Sequence, residues 1–274
     1  MNKTVDYIFV GPQRTGTSWI DQVLREHPQL CLPKNVKETM FFDKYWDRGL
    51  EYYEEFFSDK EVNQKAVEVC PTYFDSLEAP QRIKESYPDA TIIFTLREPV
   101  DRALSLFRHH AAKGRVSATF SDAAQEFPQI KSAGHYKEHI ERWLTYFDRS
   151  KVKVFLFDEI GVNPQQVYGQ FCELFSIEEH QLPEKGERKI GDATMPKYMG
   201  LATVFAKGAQ FLRRNKLDGI AEFGKKIGLR KVYTGGEEKM PELTADERSN
   251  LLSYYQKDLK YTEELLGREL VEWR

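Results

Sequence analysis

Tyr7-Ile8-Phe9-Val10-Gly11-Pro12-Gln13-Arg14-Thr15-Gly16-Thr17-Ser18-Trp19 is the stretch whose reading decides the fold. It reads as a short apolar strand, a Gly-bounded turn and a helix start. The spacing Gly-x-x-x-x-Gly-x-Ser is that of a Walker A loop, with Thr17 where an ATP or GTP site carries Lys. That Lys neutralises the β- and γ-phosphates of a triphosphate. Without it, backbone N–H groups and the positive end of the following helix still hold an anion. The expected ligand is phosphate-like and not a conventional Mg-triphosphate. Arg14 would supply fixed charge, and Thr17 and Ser18 hydroxyl donors; the plain alternative is a Gly-rich turn with no ligand.

Further buried strands are expected at Lys65–Val69, Thr91–Leu96 and Val152–Phe157, each short, apolar and bounded by polar or turn residues. Helices are expected at Thr17–Glu26, about Ser76–Ser86, from Pro99, over His135–Phe147 and over Pro164–Phe175, where Asn163 is a good N-cap. Strands alternating with helices imply an α/β fold: a P-loop-type parallel sheet flanked by helices. Ligands of such sheets bind at the carboxyl ends of strands, where Gly11–Ser18 and Arg97 both fall. The chain reads as a single domain over 1–274. Within it, 185–240 is Gly- and Lys-rich and reads as a cap or lid, or equally as an ordinary helical extension. Leu243–Leu266 reads as a helical pair or one long helix, with Thr244 and Glu247 in capping-box spacing.

With 40 basic and 43 acidic residues, net charge -3, the chain lacks the bulk charge that nucleic-acid binding requires. Cys31, Cys70 and Cys172 have neither metal-type spacing nor a disulfide pattern, so reduced, buried thiols are expected. No signal peptide and no membrane-length apolar run is evident, which leads to the expectation of a soluble cytoplasmic protein. His27 and His180 are expected at the surface.

A second constellation, Leu96-Arg97-Glu98-Pro99-Val100-Asp101-Arg102-Ala103-Leu104-Ser105, puts a guanidinium at a strand end and a hydroxyl two helical turns later, a pair suited to a phosphate monoester. Arg102 is ambiguous and could pair with a surface acid. Together the two segments resemble the cosubstrate motifs of sulfotransferases that use 3′-phosphoadenosine 5′-phosphosulfate (PAPS). The first resembles their 5′-phosphosulfate loop and the second their 3′-phosphate motif. Lys37-Glu38-Thr39-Met40-Phe41-Phe42 resembles the Lys-Glu…Phe-Phe segment of carbohydrate sulfotransferases. Cys70-Pro71-Thr72-Tyr73-Phe74 and the stretch from Gly134-His135-Tyr136 to Asp158-Glu159 resemble further family segments, the latter of bacterial members.

The resemblance implies the sulfotransferase fold and in-line transfer of a sulfuryl group from PAPS to a hydroxyl acceptor, with no metal expected. It implies cosubstrate binding by Arg14, Thr15, Gly16, Thr17, Ser18, Trp19, Arg97 and Ser105, and a catalytic set of Glu38, Arg14 and His109. Two departures stand out: Arg14 replaces the family's loop Lys, and Val69 replaces a Lys of heparan-type enzymes. Arg keeps the charge but does not readily donate a proton. Glu38 is the first candidate for the base and His109 its rival, with His110 beside it. The implied acceptor is a small molecule or carbohydrate: a sugar, glycolipid or secondary metabolite of a bacterial cell. Trp46, Tyr52, Tyr73 and Tyr136 could line its cleft or simply be core. Two other readings remain: a P-loop kinase or NTPase, for which Val152–Glu159 mimics a Walker B strand, and a nucleotide-binding protein without turnover.

Overall fold

Five strands form one sheet in a computed structural model that describes residues 5–187 and 242–274. They are β1 (Tyr7–Gly11), β2 (Leu30–Cys31), β3 (Lys65–Val69), β4 (Thr91–Leu96) and β5 (Val152–Leu156), in the order β2-β3-β1-β4-β5. Every neighbouring pair is parallel, with Tyr7 opposite Val67 on one side and Thr91 on the other. Side chains alternate between two apolar cores. Ile8, Val10, Ile92, Phe94, Leu96 and Val152 enter one, while Phe9, Val67, Val69 and Ile93 enter the other. Burial on both faces is why these strands read as continuous apolar runs. β2 has only two residues, too few for a periodic signal.

The helices follow their local chemistry. α1 (Thr17–Arg25) buries Trp19, Ile20, Val23 and Leu24, one stripe at helical spacing. That stripe joins the core that also takes Phe171 and Phe175 of the helix Pro164–Phe175. Asn163 caps the latter by accepting from Gln166 N at 3.2 Å. α2 (Phe41–Lys44), α3 (Leu50–Glu54) and the helix Tyr136–Leu144 serve the opposite core through Phe41, Phe42, Tyr53, Ile140 and Trp143. Phe157 opens a helix, Phe157–Val162, in place of ending β5. Asp158 Oδ2 accepts from Trp273 Nε1 at 2.8 Å and Glu159 pairs with Arg268, so both acids of the Walker B-like run anchor the C-terminal segment.

The described chain divides into two compact units, one of 5–102, 133–187 and 254–274, the other of 103–132 and 242–253. The sheet and both cores lie in the first. In the second, Phe107 meets Phe120 edge-on at 5.6 Å. Its helix Phe120–Glu126 is capped by Thr119, which accepts from Asp122 N. Ala245–Tyr254 opens with a capping box: Thr244 Oγ1 accepts from Glu247 N at 3.2 Å and Glu247 Oε2 from Thr244 N at 2.8 Å. It is followed by a separate helix, Gln256–Leu266. Apart from 185–187, the expected cap at 185–240 lies outside the described residues. Among the described residues no helix is long and apolar enough to cross a membrane. All three cysteines are buried free thiols. His180 is exposed as expected, but His27 is not: it is buried, its Nε2 is 2.8 Å from Glu178 O, and its ring packs near Tyr168.

Candidate active site

The loop after β1 is held by its backbone. Gly11 has φ +98°, and a Cβ there would meet the Pro71 backbone at 2.7 Å. Gly16 has φ +84° at the start of α1, where a Cβ would come within 3.0 Å of Phe157. Thr15 is fully buried; its hydroxyl donates to Pro12 O at 2.7 Å and lies 2.7 Å from Thr95 Oγ1 on β4. The loop is thereby braced against the neighbouring strand. The first N–H groups of a helix have no intrahelical partner, and Thr17 and Ser18 add hydroxyls at that point. Trp19 has a different part. Its indole donates to Gly186 O at 2.8 Å and its backbone N–H to Gly16 O at 2.9 Å, so both of its donors are engaged within the protein.

β4 lies beside β1, and Arg97 follows its carboxyl end. The Arg97 guanidinium sits 4.6 Å over the Phe157 ring. Tyr136 OH donates to Arg97 O at 2.6 Å, fixing the strand end; Tyr136 is therefore core and not cleft lining. Burial, and then the positive charge of Arg97, lower the Arg14 pKa from its usual value. Burial and a neighbouring like charge both favour pairing of these guanidiniums with an anion. Glu98 accepts from Val100 N at 2.9 Å and Asp101 N at 2.6 Å, and so caps the helix Pro99–Ala111. Arg102, ambiguous in the sequence, is fully buried and hydrogen-bonded to Tyr255, so the possible pairing with a surface acid does not hold.

Ser105 and His109 belong to the second unit. There the Lys113 ammonium donates to His109 Nε2 at 2.7 Å, and His110 is buried against Phe127 with ring centroids 4.3 Å apart.

Glu38 lies on an irregular segment between β2 and α2, and side chains hold that segment. Arg25 of α1 donates to Pro33 O at 2.8 Å and Val36 O at 3.2 Å while pairing with Asp21. On the other side of Glu38, Thr39 Oγ1 donates to Glu68 Oε1. Glu68 is wholly buried and also accepts from Tyr53 OH at 2.6 Å and Tyr73 OH at 3.0 Å. Burial pushes its carboxyl up to about 7, against the lowering effect of those hydroxyls. Tyr73 is thus core, while Trp46 and Tyr52 remain half-buried. Lys37 Nζ lies 2.8 Å from Glu38 Oε1, 3.2 Å from Ser18 Oγ and 3.5 Å from Thr17 Oγ1. The sequence reading places neither Lys37 nor Glu68 in the site. The available signal for Glu68 was an acid on the core face of an otherwise apolar strand. Lys37 had only its neighbour Glu38.

A parallel sheet with a braced glycine loop, Arg14 and Arg97 after adjacent strands, and a carboxylate reached from the loop through Lys37 is an arrangement suited to holding an anionic group. The chain belongs to the sulfotransferase family: residues 4–195 match the family's sulfotransferase domain. It is 31% identical over 179 residues to bovine (Bos taurus) bifunctional heparan sulfate N-deacetylase/N-sulfotransferase 2, covering 58% of this chain and 20% of the relative. To the human (Homo sapiens) bifunctional enzyme 3 it is 26% identical, over 97% of this chain and 31% of the relative. It therefore spans a third or less of the length of these curated relatives. The fold is that of a crystallised sulfotransferase from Alicyclobacillus acidocaldarius, with TM-score 0.71, 22% identity and 98% coverage of both chains. Family membership decides against the kinase or NTPase reading.

Proposed function

We propose that this chain transfers a sulfuryl group from PAPS to a hydroxyl of a sugar, glycolipid or secondary metabolite. The observation that carries the reading is the placement of Arg14 and Arg97 after adjacent parallel strands, with the Arg97 guanidinium 4.6 Å over the Phe157 ring that also borders Gly16 of the loop. The donor set fits the cosubstrate, since guanidiniums and hydroxyls at a helix start are anion ligands and the loop glycines leave no room for a Cβ. When bound, PAPS supplies a sulfuryl group on a phosphate leaving group. Arg14, Thr17 and Ser18 hold its 5′ end. Arg97 takes the 3′-phosphate, the group that distinguishes this ligand from ATP. Glu38 accepts the acceptor's proton. It is preferred to His109, whose Nε2 is engaged by Lys113.

An amine acceptor is the second reading, because the relatives at 26–31% identity are named as N-sulfotransferases. An acceptor panel pairing amino sugars with their N-acetylated forms separates it from O-transfer. The cosubstrate assignment is tested by calorimetry of adenosine 3′,5′-bisphosphate against Mg-ATP. Wild type is expected to prefer the bisphosphate, and Arg97→Ala to lose about 10- to 100-fold of that affinity, the worth of a charge-assisted contact. Preference for Mg-ATP, or indifference to Arg97, overturns the assignment.

A further inference from the structure

Arg14 leaves the loop with charge but no ammonium, and the structure brings an ammonium from elsewhere. Lys37 follows β2 by several residues, yet its Nζ reaches the hydroxyls of Thr17 and Ser18 at the start of α1. It is also ion-paired with Glu38, the carboxylate assigned as the base, and both side chains are largely covered, at 29% and 20% exposure. One cation thus touches both halves of the proposed chemistry: the loop that holds the leaving phosphate and the group that receives the acceptor's proton.

We propose that Lys37 is a further catalytic residue, the ammonium that neutralises the leaving 5′-phosphate, and that its transfer from Glu38 to that phosphate frees Glu38 to act as base. This rests on the sulfotransferase reading of the loop. In the step, the acceptor oxygen bonds to sulfur while the bond from sulfur to the 5′-phosphate oxygen breaks. The electron pair of the broken bond stays on that phosphate oxygen, and Lys37 with Arg14 faces the charge that develops there. The acceptor proton goes to Glu38. Until an anion occupies the loop, Lys37 and Glu38 neutralise one another, so the base is released only when the cosubstrate's 5′ end is in place. Arg25 and Thr39 keep the segment where the exchange takes place.

The test compares two ligands by calorimetry: adenosine 3′,5′-bisphosphate, and adenosine 3′-phosphate, which lacks the 5′ group. Lys37→Met is expected to weaken the bisphosphate about tenfold, the lower end for a contact to a charged group, and to leave adenosine 3′-phosphate unchanged. Lys37→Arg should recover much of the loss. Glu38→Gln, which removes the rival for the ammonium, should tighten the bisphosphate several-fold and do so only while Lys37 is present. That opposite sign is not produced by a merely structural role. Equal weakening of both ligands by Lys37→Met, or no weakening of either, overturns the proposal. Failure of the wild type to bind the bisphosphate would instead overturn the sulfotransferase assignment beneath it.

Discussion

Two segments carry the site, and they are built in opposite ways. Gly11–Ser18 is fixed by its own backbone: two glycines at positive φ, a buried threonine bonded two ways, and a helix start. Pro33–Thr39 has no regular structure and is fixed by side chains from elsewhere, Arg25 on one flank and Glu68 on the other. A backbone-built anion site keeps its shape when a neighbouring side chain is lost. A side-chain-built base is only as well placed as its supports. Apart from Lys37, which touches both segments, binding and turnover should therefore respond to different mutations.

The largest expected effect falls on the second segment. Glu38→Gln should lower kcat by about 10²- to 10⁴-fold, the range for losing a general base, while bisphosphate binding persists. Single-turnover sulfate transfer beside calorimetry checks it. If kcat held, the division of labour would be wrong, and the proton acceptor would have to be sought elsewhere.

Glu68 offers a sharper test of the support. Its carboxyl ionises at 4.5 ordinarily and at about 7 in the fold, so the native state holds the proton across that window while the unfolded chain releases it. This group's contribution to stability is therefore fully present below pH 4.5 and is lost as pH rises through 7, by roughly 3 kcal/mol in all. Glu68→Gln keeps an acceptor for the hydroxyls but cannot ionise. Urea melts at pH 5 and pH 8 should show wild type losing more stability than the variant between the two. Equal slopes would mean that the carboxyl is not held neutral by its burial.

The same contrast explains what could be read in advance. The loop, its strand and the Arg97 strand end announced themselves because Gly, Thr and Pro positions encode backbone shape locally. β3 and β4 were legible to the residue, being buried on both faces. Glu38 was reached only through resemblance, since nothing local fixes an irregular segment. Lys37 was overlooked because its partners are Thr17 and Ser18, some twenty residues away. Tyr73 and Tyr136 could be read as cleft lining, although such aromatics are more often core. Only the structure shows their hydroxyls spent on Glu68 and on Arg97 O. Arg102 stayed ambiguous for the same reason: a charged residue in a helix can be solvated or buried until its tyrosine partner is seen.

The smallest expected effect isolates the other flank. Arg25 is the sole basic residue of the last turn of α1, and its two carbonyl contacts tie the base-carrying segment to the helix that the anion loop opens. Arg25→Ala removes both, and leaves the largely buried Asp21 without this ion pair. The cost is about 1–2 kcal/mol, comparable to losing one charge-assisted contact. Because the loop's own braces are Thr15 and its glycines, that loss should appear mainly as a several-fold fall in kcat, with a smaller change in bisphosphate affinity. Arg25→Lys, which offers a point charge in place of a fork, should keep the pairing with Asp21 but not both carbonyls, and so recover stability more than rate. Parallel losses of rate and affinity in Arg25→Ala would mean that the two segments are one mechanical unit after all, and that Lys37 and the loop move together.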